Sequence, residues 1–161
     1  MSPRDEKADS ESAASSDPIE TPTHTPGEDM SDSTRLCLPS PGKTYFIRHH
    51  ESGKFLYVKL GFLMVGELDP QSGRYWTCLQ EDGWLGFRET GSGSYIGWNQ
   101  WHEGFQMSET MGNFVVTPKE NKGCYLQAVL WPKLVYVGIR GESLVQEASS
   151  DEAVLWRFME V

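Results

Sequence analysis

The sequence predicts an all-β fold: short strands in three similar units, behind a disordered N-terminal tail. Three observations predict it. The 161 residues include 16 Gly and 9 Pro, which favours many turns and few long helices. Aromatic and β-branched residues recur in short runs, such as Tyr45-Phe46-Ile47, Phe55-Leu56-Tyr57-Val58, Phe114-Val115-Val116 and Leu134-Val135-Tyr136-Val137, separated by turn residues. These runs repeat at a spacing near forty residues. No helical apolar period persists beside them; one short helical turn is expected at most, over residues 149–153.

The chain divides by composition into a tail, residues 1–42, and a domain, residues 43–161. The tail is rich in Ser, Thr, Pro, Asp and Glu and holds almost no large apolar residue before Leu36. Such a segment buries too little surface to offset its ordering entropy, so disorder is expected. Its nine acids and three bases give it a charge of −6, most of the chain's −9. Ser2-Pro3, Thr21-Pro22, Thr25-Pro26 and Ser40-Pro41 have the form of proline-directed phosphorylation sites.

Each element of the domain then follows in order. Ser52-Gly53-Lys54-Phe55-Leu56 is matched by Ser92-Gly93-Ser94-Tyr95-Ile96, with aromatic anchors 40 positions apart (95 − 55). A weaker copy, Pro132-Lys133-Leu134-Val135, lies 39 positions on (134 − 95). The opening strand of each unit carries an apolar pair spaced by two: Tyr45 and Ile47, Leu85 and Phe87, Cys124 and Leu126. That spacing puts one face of a strand inward. Arg48, Arg88 and Gln127 follow the inner residue; the arginines are expected to pair with carboxylates or carbonyls on the barrel surface. A third short strand is expected at Phe62–Val65, Phe105–Met107 and Leu144–Val145. The closing strands start at Trp76, Phe114 and Trp156, with Cys78, Val116 and Phe158 two positions further. Three four-stranded units match a β-trefoil, a closed barrel with a hairpin cap, and closure removes exposed sheet edges. Propellers typically need more blades.

The stretch Leu85-Gly86-Phe87-Arg88 with Ser92-Gly93-Ser94-Tyr95-Ile96-Gly97 resembles the fascin-like β-trefoil family, as do Gly123-Cys124-Tyr125-Leu126, Leu130-Trp131-Pro132-Lys133-Leu134 and the chain end from Val154 to Val161. The resemblance, to small single-domain fungal members, covers residues 43–161. It implies a non-catalytic binding or interaction module, with a protein as its favoured partner. Actin is a partner of some members. One trefoil with one site cannot cross-link two filaments, however, and the acidic charge does not suit an acidic filament.

The candidate ligand-binding residues are Trp98, Asn99, Gln100, Trp101 and His102, read as a hairpin loop between Gly97 and Gly104. Trp faces stack on sugar rings and amides bond hydroxyls, so a carbohydrate site is the alternative function. The competing structural reading has at least one of the two Trp packing beneath the loop. The Gln-x-Trp motif of ricin-type lectins is absent, and a protease-inhibiting trefoil is a further alternative. His49-His50-Glu51 is read as a solvated turn rather than a metal site, because adjacent side chains diverge. No nucleophile elbow, zincin helix or phosphate loop occurs, so neither catalysis nor a cofactor nor a metal is expected. Cys78 and Cys124 fall at inward positions, as inert core thiols do. The negative charge disfavours nucleic acid, no stretch is apolar enough for a membrane helix, and the polar N-terminus suggests a cytoplasmic location; a monomer is expected.

Overall fold

A computed structural model describes residues 38–120, 122–151 and 153–161. The expected disordered tail lies outside the described residues as far as position 37, with Cys37 and three of the four Ser/Thr-Pro dipeptides. Its last residues, 38–42, are described. Pro39 is buried. The Ser40 N–H donates to Tyr45 Oη (2.7 Å), and the Gly42 N–H donates to the Cys78 carbonyl (2.7 Å).

Twelve strands and no helix occur among the described residues. Unit one contributes β1 (Thr44–His49), β2 (Phe55–Lys59), β3 (Phe62–Gly66) and β4 (Trp76–Glu81). Unit two contributes β5 (Trp84–Glu89), β6 (Tyr95–Asn99), β7 (Gly104–Ser108) and β8 (Phe114–Pro118). Unit three contributes β9 (Cys124–Leu130), β10 (Lys133–Arg140), β11 (Ser143–Glu147) and β12 (Trp156–Glu160). Where one short helical turn over 149–153 is expected, the chain makes a single hydrogen-bonded turn, closed by the Ala153 N–H on the Ser150 carbonyl (3.3 Å).

Six strands close a barrel. In ring order they are β1, β4, β5, β8, β9 and β12, each antiparallel to the next, and β12 returns to β1 through Phe158↔Ile47 and its neighbours. The remaining strands form three hairpins, β2–β3, β6–β7 and β10–β11. The hairpins lean on one another as a cap: Val145 pairs with Gly104, and the Val65 N–H donates to the Glu142 carbonyl (2.9 Å). This is a β-trefoil.

The repeat sets the core. Ile47, Phe87 and Leu126 from the opening strands meet Trp76, Phe114 and Trp156 from the closing strands, all essentially solvent-free. Phe87 stacks on Phe158 (centroids 5.4 Å apart) and tilts against Phe114 (5.8 Å), and Tyr45 meets Phe158 edge-on (6.1 Å), so aromatics of all three units meet inside the barrel. Each buried indole also needs an acceptor. Trp76 Nε1 donates to the Leu56 carbonyl (3.0 Å) and Trp156 Nε1 to the Val137 carbonyl (3.4 Å), which ties barrel to cap. Cys78 and Cys124 are buried as expected, and burial pushes the Cys78 thiol up to about 11.

Unit three breaks the symmetry. In units one and two the opening strand meets the next through a single pair, Arg48↔Phe55 and Arg88↔Tyr95. In unit three, β9 and β10 pair continuously from Gln127↔Tyr136 to Leu130↔Lys133 around the two-residue turn Trp131-Pro132. Trp131 at that tip is 86% exposed.

Candidate functional site

The three cap hairpins converge around a cleft of about 510 Å³. Each hairpin contributes to its wall. The first supplies Gly61, Phe62 and Leu63, the second Asn99, His102 and Gly104 to Met107, and the third Ser143, Leu144 and Val145. Turn chemistry places these residues. Between β2 and β3 the turn is Leu60-Gly61, both at positive φ (53° and 83°), as a tight I′ hairpin requires. Leucine rarely adopts that conformation, and here it is also 86% exposed. Phe62, which lines the cleft, is 70% exposed, so the first hairpin presents two exposed apolar groups, one of them in the cleft wall.

The five residues read from sequence as one loop divide into three groups. Trp98 is in strand β6, opposite Phe105, and the two rings meet edge-on (centroids 5.2 Å, 67°). It packs against the core and supports the hairpin from beneath, which corrects its placement in a loop and agrees with the structural reading for one of the two Trp. Gln100 and Trp101 belong to the four-residue turn and are exposed, Trp101 by 83%. Asn99 and His102 line the cleft.

Asn99 organises the turn. Its Oδ1 accepts the Trp101 N–H (2.9 Å), its carbonyl accepts the His102 N–H (3.3 Å), and its Nδ2 donates to Gln106 Oε1 (2.7 Å). The amide pair therefore fixes the orientation of Gln106 and leaves the Gln106 Nε2 donors for a ligand. The His102 ring and the Ser143 hydroxyl add further donor and acceptor capacity, against the apolar wall of Phe62, Leu63 and Leu144. Phe62, Gln106 and Ser143 were not singled out by sequence. Each lies in an ordinary strand position, and only closure of the cap brings them beside Asn99. A signal was present in Leu60-Gly61-Phe62, a turn with two large apolar residues where polar ones are usual.

Other sequence candidates are resolved locally. His49 and His50 use their ring nitrogens separately: His49 Nδ1 bonds the Ser52 hydroxyl (2.7 Å), while His50 Nδ1 lies 3.3 Å from Arg157 Nη1. Burial is the main cause that lowers the pKa of each ring. The same position in unit two is Glu89, only 4% exposed, whose two oxygens accept the Gly91 and Ser92 N–H groups (2.8 Å each). His49 and Glu89 are thus equivalent anchors for equivalent turns. The expected carboxylate pairing of Arg48 and Arg88 is corrected: among the described residues neither forms an ion pair. Among those residues no helix is long and apolar enough to cross a membrane.

No known protein family and no curated protein matches the sequence. Solved structures do match it. One is the endo-β-galactosidase of Clostridium perfringens that releases GlcNAcα1-4Gal, with a TM-score of 0.63 and 16% identity over 74% of this chain. This chain spans only 32% of that enzyme. Another is the ricin B-like lectin of Macrolepiota procera in complex with lactose (TM-score 0.62, 13% identity, 77% of this chain and 99% of the lectin). A third is SeviL bound to asialo-GM1 saccharide (TM-score 0.57, 17% identity, 74% of this chain and 98% of that one). At these identities the likeness shows the fold.

Proposed function

We propose that this trefoil is a non-catalytic carbohydrate-binding module whose site is the cleft between the cap hairpins. The observation that carries the reading is the hydrogen-bonded amide pair Asn99–Gln106 lining the same cleft as the exposed ring of Phe62. A saccharide presents an apolar face and a rim of hydroxyls; a ring for the face and preoriented amides for the rim are complementary to it. Two of the fold neighbours are trefoil structures carrying a saccharide, which supports a sugar as the first ligand class to try. The chain's own cleft, and not a repeated motif, supplies the site, so a single glycan per domain is expected.

A glycan array followed by calorimetry on the best hits tests this reading, with lactose and the asialo-GM1 saccharide included. Binding by the wild-type domain that falls at least about tenfold in Gln106→Ala and Phe62→Ala, a loss of roughly 1.4 kcal/mol, is the expected result. Binding that survives both substitutions would move the site elsewhere, and no binding to any glycan would end the sugar reading. A second reading, the protein-binding module implied by the fascin-like resemblance, draws on one observation. Leu60, Phe62 and Trp101 expose their apolar surfaces at the hairpin tips, as a protein interface would require.

A further inference from the structure

Outside the cap, a cluster of cationic side chains on the barrel wall forms no ion pair among the described residues. On the outer wall of the barrel, β12 and β1 pair with Arg157 directly opposite Arg48. Like charges opposite each other across an antiparallel pair repel and destabilise it, and fourteen acids in the domain were available to relieve the pair. None does: the ion pairs among the described residues are Lys43–Glu160, Lys59–Asp69 and Arg140–Glu147. Glu160 lies on the same strand as Arg157 and is held by Lys43. Glu51, beside His50 in the adjoining turn, is exposed.

The Arg48 head group is poorly satisfied. Its Nε is buried without a hydrogen-bond partner. Its Nη1 donates only to the Met159 thioether (3.5 Å), a weak acceptor. One face of the guanidinium is covered by Phe55 (5.5 Å), and of its in-plane donors Nε is the unmet one. Gly53 makes room for this placement, since a Cβ there would lie 2.7 Å from Arg48 Nη2. His50 completes the cluster, with its Nδ1 near Arg157 Nη1. Two guanidinium groups borne at directly opposite register positions, with a ring nitrogen beside the second, are the donors that the oxygens of a tetrahedral anion take.

We propose that Arg48, Arg157 and His50 form a binding site for one phosphate or sulfate group on the barrel wall, distinct from the cap cleft. The anion replaces repulsion between the two arginines with attraction to both. The chemistry recognises the oxyanion itself, which could be presented as a phosphorylated peptide or as a sulfated or phosphorylated sugar.

The test is NMR titration of the full-length protein with inorganic phosphate, following the Arg Nε–Hε and His ring signals. Saturable shifts confined to Arg48, Arg157 and His50, weakened about tenfold or more in Arg157→Ala, are expected. Arg48→Lys keeps the charge and removes the fork, so it should retain the fold, checked by its amide spectrum, and still lose affinity. Shifts spread over the lysines, or unchanged by Arg157→Ala, would overturn the site. A phosphoserine peptide and galactose 6-sulfate, titrated in parallel, separate the sources: tighter binding of the first supports a protein-borne anion, of the second a glycan-borne one, and failure of both to outbind inorganic phosphate overturns any recognition beyond a free ion. Lactose affinity in Arg157→Ala keeps this outcome separate from the fate of the cap cleft.

Discussion

The barrel interior and the hairpin cap were built from the same repeat but under different constraints. Inside the barrel three copies face one shared space, so a change in one copy is felt by the other two. Ile47, Phe87 and Leu126 are accordingly all large and apolar, as are Trp76, Phe114 and Trp156. At the cap the hairpin tips face solvent and differ completely: Leu60-Gly61, Gln100 to Glu103, and Gly141-Glu142. Repetition therefore marks packing, and departure from it marks the positions free to recognise something. The cap cleft, the Trp131 tip and Arg157, which stands where the other units have Thr77 and Val115, all lie at such departures.

The largest effect should come from breaking the repeated side of this comparison. Trp156→Ala removes a solvent-free ring and its bond to the Val137 carbonyl, and thermal or denaturant unfolding should show a loss of about 3–5 kcal/mol. A loss under about 1 kcal/mol would mean that the barrel does not depend on its repeated positions. Next comes Glu89→Ala. It leaves the Gly91 and Ser92 N–H groups without their acceptor and should cost about 1–3 kcal/mol in denaturant titration. His49→Ala, at the equivalent but more exposed anchor with a long 3.4 Å bond from the Ser52 N–H, should cost clearly less.

A smaller effect separates the tail from the domain. Truncation before residue 38 should leave the melting temperature unchanged, whereas truncation after residue 42 removes buried Pro39 and the bonds to Tyr45 Oη and the Cys78 carbonyl. Two hydrogen bonds at about 1 kcal/mol each set the size of the difference. Equal stability of the two truncations would show residues 38–42 to be passive. Smallest of all should be Trp131→Ser at the exposed tip of the third unit, within about 0.5 kcal/mol of the wild type. Leu60→Asn should be neutral or slightly stabilising, because Asn suits a positive φ. A stabilised Leu60→Asn variant with impaired ligand binding would show that the leucine is kept for function.

How much of this was legible in the sequence follows the same division. The barrel was readable because its constraint is local and periodic: Tyr45 and Ile47, or Trp76 and Cys78, announce an inward face by their spacing alone. The cap was half readable. Asn99 and His102 stood out by residue type and do line the cleft, but Trp98 was assigned to a loop when its ring lies edge-on to Phe105 in a strand pair. A lone Trp beside Asn gives no alternation by which to tell a strand end from a turn. Phe62, Gln106 and Ser143 come from three units and meet only through tertiary closure, which no local pattern encodes. The arginines were misread for a related reason. Acids are plentiful in the chain, yet none is placed across from Arg48, where the register puts Arg157.

The most direct test of the central claim is amide chemical-shift mapping during titration with the best glycan from the array. The account predicts saturable shifts at residues 61–63, 99–106 and 143–145, one region on each hairpin, with the barrel wall silent. Shifts confined to the wall, to the Trp131 tip or to no residue would contradict it.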